Sequence, residues 1–215
     1  MPADEPGATT GPGEYWDSVY ERRGAGGVSW FQAVPQTSLD LIRALGTTPD
    51  TPVVDAGAGA GTLTAHLAAA GFTDLTAVDI SAAALAAARA RAAGPPGAAP
   101  VSWVHADLLS WRPDRRYGLW HDRAVYHFLT GDADRAAYLA TLRAALRPGG
   151  IVILAAFAPG GPARCSGLPV ARYSPAGLTR SLGAGFTVLA AHAEQHITPD
   201  GVIQPFSWVA GSLAP

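Results

Sequence analysis

Alternating glycines between an apolar strand and a helix leave few folds open to this chain. Val53-Val54-Asp55-Ala56-Gly57-Ala58-Gly59-Ala60-Gly61-Thr62 begins with β-branched, apolar residues suited to a buried parallel strand. The glycines then let the backbone turn tightly and approach a ligand where a side chain has no room. Residues 63–70 follow with a helical pattern, so unpaired N–H groups and the positive dipole end face the same place. The spacing is Gly-x-Gly-x-Gly, whereas a dinucleotide-binding turn has Gly-x-Gly-x-x-Gly. Asp55, ahead of the first glycine, sets a carboxylate where a pyrophosphate is repelled and an amino group is welcome.

The rest of the chain repeats the alternation. Strands are predicted at 52–56, 75–79, 101–105, 119–122 and 151–156, with helices at 63–70, 82–92 and 132–146 between them. Pro148-Gly149-Gly150 stops the last of these helices. A helix is also expected at 37–44, after an aromatic-rich stretch holding Tyr15, Trp16, Tyr20, Trp30 and Phe31. A short helix opens at Ser174-Pro175, and strands at 186–192 and 204–211 flank Thr198-Pro199-Asp200-Gly201, a hairpin-like turn. Residues 94–100 read as a local Pro/Gly/Ala loop. The predicted fold is α/β and Rossmann-like: a doubly wound, mostly parallel, seven-stranded sheet with an antiparallel hairpin at the C-terminal end.

Composition narrows the chemistry. With 215 residues one domain is expected, and a net charge of −2 gives no reason to expect nucleic acid. All 15 basic residues are arginine, and neither Lys nor Asn occurs, a bias that fits a high-GC bacterial genome. Without lysine there is no Schiff base and no P-loop ammonium. The single cysteine, Cys165, excludes an internal disulfide and a cysteine-rich metal site. A cytoplasmic protein with no metal and no membrane span is expected, as a monomer or homodimer. Residues 1–13 lack an apolar signal core and are expected to form a disordered lead.

Three acids follow three successive strands: Asp55, Asp79 and Asp107. Each alone is equally an N-cap or a solvated turn residue; together, behind a glycine loop, they resemble the class I S-adenosylmethionine (SAM) dependent methyltransferases, whose first motif is Asp/Glu-x-Gly-x-Gly-x-Gly. The resemblance spans about residues 53–157 and implies SAM as cofactor. It implies that Asp55 with Gly57, Gly59 and Gly61 holds the methionine end, that Asp79 takes the ribose hydroxyls with Ile80 over the adenine, and that Asp107 with Leu108 reads the adenine amino group.

The fourth strand ends in Trp120-His121-Asp122-Arg123-Ala124. With Trp16-Asp17-x-x-Tyr20 and Trp30-Phe31, it resembles short islands of the thiopurine methyltransferases. That resemblance implies an aromatic lid over residues 14–48, with Trp16 and Tyr20 on the cofactor, a SAM-binding core over 49–157, and a substrate-side loop and antiparallel strands over 158–215. His121, Asp122 and His127 are candidate bases, His121 also a cofactor contact, and Arg123, Tyr126 and Trp30 candidate substrate contacts. Each has an ordinary alternative: a core histidine, a buried aromatic, a structural Asp–Arg pair. The expected activity is methyl transfer to a heteroatom of a small molecule. Methylation of a protein lysine, or SAM binding without transfer, are the alternatives.

Overall fold

The computed structural model describes residues 11–92 and 99–215. Helices α1 (Pro12–Arg23) and α2 (Gln36–Ala44) precede β1 (Val53–Ala56), α3 (Leu63–Ala69), β2 (Leu75–Asp79), α4 (Ala82–Arg91), β3 (Ser102–His105) and β4 (Tyr117–Arg123). A 3-10 turn (Tyr126–Phe128), α5 (Asp132–Ala145) and β5 (Leu146–Phe157) follow. Then come the small hairpin β6 (Arg164–Cys165) and β7 (Leu168–Pro169), α6 (Pro175–Leu182), β8 (Phe186–Ile197) and β9 (Ile203–Leu213).

Seven strands form one sheet in the order β3-β2-β1-β4-β5-β9-β8. The first five are mutually parallel, β9 runs antiparallel to β5, and β8 antiparallel to β9. The chain winds outward from β1 to β3 on one side and from β4 to β5 on the other. The crevice where the order reverses therefore opens between the carboxyl ends of β1 and β4, beside the glycine loop.

Both faces of the sheet are covered, which is why its central strands carry runs of apolar residues rather than alternation. Val54, Trp120, Leu154 and Val209 pack with Leu142 of α5 and Leu178 of α6. Val53, Leu119, Ile153 and Trp208 pack on the opposite face with Ile42 of α2 and Leu67 of α3. Local chemistry starts and stops the helices. Ser81 and Ser174 accept from Ala84 N and Gly177 N as N-caps of α4 and α6. Asp132 and Asp134 lie in the first turn of α5 and Arg143 in its last, complementing the dipole.

Four expectations need correction or limits. Residues 11–13 belong to the start of α1, where Glu14 accepts from Gly11 N at 3.2 Å; residues 1–10 of the expected lead lie outside the described residues. Most of the loop expected at 94–100 lies outside them too. Strand β5 begins at Leu146, before Pro148-Gly149-Gly150, because Tyr117 pairs with Leu146 and Leu119 with Ile151 across a bulge. The hairpin β6–β7, where a loop was expected, turns at Ser166 and Gly167 with φ of 46° and 79°, a left-handed pair suited to a two-residue turn.

Among the described residues no helix is long and apolar enough to cross a membrane, and no group of three or more His, Cys, Asp or Glu could hold a metal ion.

Candidate functional site

The carboxyl ends of β1, β2 and β4, with α1 and the segment after it above them, enclose a cavity of about 370 Å³. That is within the range of small-ligand pockets. The glycine loop forms its floor by folding under closely packed neighbours. Gly57 has φ of 69°, and a Cβ there would sit 1.9 Å from Val125 Cγ2. Gly59 has φ of 54°, and a Cβ there would sit 2.4 Å from the Tyr20 hydroxyl. Only glycine meets both conditions at either position.

Asp79 organises this floor. One of its oxygens accepts from Gly59 N at 2.7 Å and the other from Ser81 N at 2.8 Å. Burial raises its pKa to about 6, the nearby Asp55 adding to the rise while the Ser81 and Gly59 N–H groups oppose it. Asp55 accepts from Thr64 Oγ1 at 3.1 Å and pairs with His121 Nδ1 at 3.1 Å. His121 Nε2 meets Ser38 Oγ at 2.9 Å, so both ring nitrogens are engaged when Nδ1 carries the proton.

The wall includes most of the residues singled out from sequence: Asp55, Gly57, Gly61, Asp79, Ile80, Asp107, Leu108, His121, Arg123, Trp16, Tyr20 and Trp30. Gly59 is held beneath it by Asp79. Asp107 also makes a local turn, accepting from Leu109 N at 2.9 Å.

Three residues are placed elsewhere, and their expected roles are corrected accordingly. Asp122 lies fully buried behind the wall and accepts from Val125 N at 3.0 Å, Tyr126 N at 3.2 Å and Tyr138 Oη at 2.5 Å. Its three donors make it a brace for the turn after β4, not a base facing the acceptor. His127 is fully buried, its Nδ1 accepting from Phe157 N at 3.3 Å between the rings of Phe128 and Phe157. Burial, with Arg123 nearby, lowers its pKa to about 3, so it is neutral at physiological pH. Tyr126 packs against Tyr138 and Tyr173 away from the cavity. The period-2 alternation of a strand accounts for the split: His121 and Arg123 point to one face and Asp122 to the other.

The roof was only partly legible. Trp16 meets Trp30 and Phe128 edge-to-face at 5.9 and 5.0 Å, and Tyr20 meets Trp30 at 6.2 Å. Asp17 fastens α1 to the start of α4, accepting from Ser81 Oγ at 2.6 Å and Ala83 N at 3.0 Å. The Tyr15 hydroxyl donates to the Ser166 carbonyl at the tip of the β6–β7 hairpin. Ser38, Gln32, Phe128 and Leu168 also line the cavity, and nothing in their sequence context marked the first two.

Residues 53–150 match the family model described as a methyltransferase domain. That segment contains the glycine loop, the three strand-end acids and the β4 terminus. The same segment, a little under half of the chain, is similar to a methyltransferase domain. No curated protein matches the chain by sequence. Solved structures similar to this chain include a protein from work on the conversion of a disulfide bond into a thioacetal group during echinomycin biosynthesis. It is 22% identical, with 94% of this chain and 93% of that one covered and a TM-score of 0.75. A SAM-dependent methyltransferase from Anabaena variabilis is 18% identical over 99% of both chains, with a TM-score of 0.73. The N-methyltransferase NodS of Bradyrhizobium japonicum, solved with S-adenosylhomocysteine (SAH), is 17% identical over 94% of this chain and 100% of that one, with a TM-score of 0.70. At these identities the likeness is one of fold. A specific thiopurine methyltransferase affinity is not found.

SAM is the cofactor of the methyltransferase domains that residues 53–150 resemble, and the residues present fit it: a floor that excludes side chains, a buried carboxylate at the end of β2, and a second at the end of β1. The pH dependence follows from Asp79. Its pKa of about 6 means that the ionised form dominates at pH 7 and is lost as pH falls. SAH affinity is expected to be level above pH 7 and roughly tenfold weaker at pH 5. Calorimetry across that range checks it, and a level profile removes the ionised Asp79 from the ligand contacts.

Proposed function

We propose that this methyltransferase acts on a heteroatom of a small-molecule acceptor enclosed beneath the aromatic roof. The carrying observation is that roof: α1 is tied down at Asp17 and Tyr15, with Trp16, Trp30 and Phe128 interlocked below it. Bound SAM supplies an electrophilic methyl carbon to a lone pair on the acceptor and leaves as SAH. The chain's own task is to hold, orient and exclude water, and displacement at carbon needs no strong base. Asp55, steadied by His121 and Thr64, is the acid for the cofactor's amino group; Asp79 is the ribose acid; Ile80, Asp107 and Leu108 flank the adenine. His121 is a positioning residue, because both nitrogens are already committed.

The remaining assignments belong to the same reading. Residues 14–48 act as a lid, 49–157 as the SAM-binding core and 158–215 as the acceptor side of one domain. The neighbour from echinomycin biosynthesis supports a small natural product as the kind of acceptor, and NodS supports a heteroatom. A protein lysine is disfavoured by charge. The wall's acids, Asp55, Asp79 and Asp107, stand at the cofactor strands, whereas Arg123 presents a cation that repels an ammonium. We take the protein to work in the cytoplasm, without nucleic acid, as a monomer or homodimer.

The test is SAH release from SAM with a panel of thiols, amines and hydroxyl compounds beside lysine-containing peptides. Turnover of a small acceptor supports the reading, and turnover of peptides alone overturns it. The lid has its own check. SAH is expected to slow proteolytic cleavage within residues 14–31 severalfold, since closure buries that segment. Cleavage at the same rate with and without SAH would remove the lid.

A further inference from the structure

Arg123 ends β4 with a guanidinium that the protein satisfies on one side only. Its Nη1 donates to the Trp30 carbonyl at 2.8 Å, and its carbon lies 4.5 Å from the centre of the Phe206 ring. Nε and Nη2 are buried and make no hydrogen bond among the described residues. Those two nitrogens share an edge of the planar group, where their N–H bonds run parallel at the spacing of the two oxygens of a carboxylate.

No direct ion pair neutralises the charge among the described residues, where Glu194 is the one carboxylate whose field raises the Arg123 pKa without pairing with it. Both Glu194 oxygens are occupied, by Thr37 Oγ1 at 2.8 Å and Trp208 Nε1 at 2.8 Å. Burial lowers the Arg123 pKa to about 10, which leaves it protonated at neutral pH. A buried cation without a counter-ion is costly, several kcal/mol in the general case. Next to it, His127 accepts at Nδ1 from the Phe157 backbone, so its proton sits on Nε2, a third buried donor with no acceptor. Gln204 Oε1, also unpaired, carries no formal charge to offset the arginine.

Arg123 belongs to the cavity wall. It lies two residues beyond His121 along β4, about 7 Å farther towards the mouth of the crevice. Trp30, Phe128 and Leu168 supply apolar wall around that end. One cation in an apolar setting balances one negative charge, so a monoanion suits it better than a phosphate dianion.

We propose that the Nε/Nη2 edge of Arg123 anchors a carboxylate on the methyl acceptor, making the substrates small apolar-framed acids. This rests on the reading of the protein as a small-molecule methyltransferase. The competing claimant is the carboxylate of the cofactor's own methionine end, and the experiment separates the two.

With the cofactor site saturated by SAH, thiosalicylate, anthranilate and salicylate are titrated against thiophenol, aniline and phenol by calorimetry. At least one acid is expected to bind tenfold or more tighter than its neutral partner. Arg123→Gln should bring the pair within threefold while SAH affinity moves less than threefold, and Arg123→Lys should keep part of the preference. Equal binding of acids and neutral partners to the native protein overturns the proposal, and that comparison decides even if Arg123→Gln fails to fold. A tenfold or greater loss of SAH affinity in a folded Arg123→Gln also overturns it, giving the edge to the cofactor. If neutral compounds are methylated and acids are not, the methyltransferase reading stands and the anchor falls. If acids bind through Arg123 but no small molecule is methylated, the anchor stands and the reading falls.

Discussion

Asp79→Ala is expected to weaken SAM binding by about 1.5–3 kcal/mol, roughly a 10- to 150-fold rise in Kd, through loss of charge-assisted hydrogen bonds. The carboxylate does two things at once. On the proposed reading it offers acceptors to ligand hydroxyls from the carboxyl end of β2, and it pins Gly59 N and Ser81 N, which shape the floor and the start of α4. Asp79→Asn separates these effects, because the amide oxygen still serves one N–H while the charge and the second acceptor are gone. It should fall between the native protein and the alanine variant. Calorimetry with circular dichroism as a check on folding makes the measurement. Native affinity in a folded Asp79→Ala would remove the ribose assignment.

Asp122→Ala is expected to act on the fold instead. Removing its side chain strands two backbone N–H groups and the Tyr138 hydroxyl in a fully buried site. We expect a loss of about 3 kcal/mol, which for a chain of this size lowers Tm by roughly 6–12 °C. Asp122→Asn should recover much of that stability by accepting from part of the set. A variant with native Tm and reduced kcat would return Asp122 to the chemistry and overturn the brace.

What the sequence revealed, and what it withheld, divides along physical lines. The glycine loop and Asp79 were legible because backbone conformation and close approach permit only glycine at positions 57 and 59, and because the acids stand at strand ends. The parallel order was legible from alternation, since sheets covered on both faces are written in apolar runs. Asp122 was misjudged because adjacency in sequence says nothing about the face of a strand until its register is fixed, whereas His127, on the 3-10 turn after β4, took the core-histidine alternative by packing on β5. Ser38 and Gln32 had no local signal at all. They reach the cavity only because α2 packs on the sheet and the segment before it crosses the glycine loop, where Thr62 Oγ1 donates to the Gln32 carbonyl at 2.9 Å. The β6–β7 hairpin escaped notice because its strands are two residues each.

Ser81 has a neighbour on either side that belongs to a different part of the machine: its N–H serves Asp79 and its hydroxyl serves Asp17 of α1. Asp79 and the roof helix are thereby joined through one residue. Coupling of this kind is reciprocal, so whatever steadies Asp79 steadies the roof to the same degree. On the proposed reading the expected consequence is an order of events: cofactor that settles on Asp79 favours the covered roof before any acceptor is present, so methylated product is expected to leave before SAH.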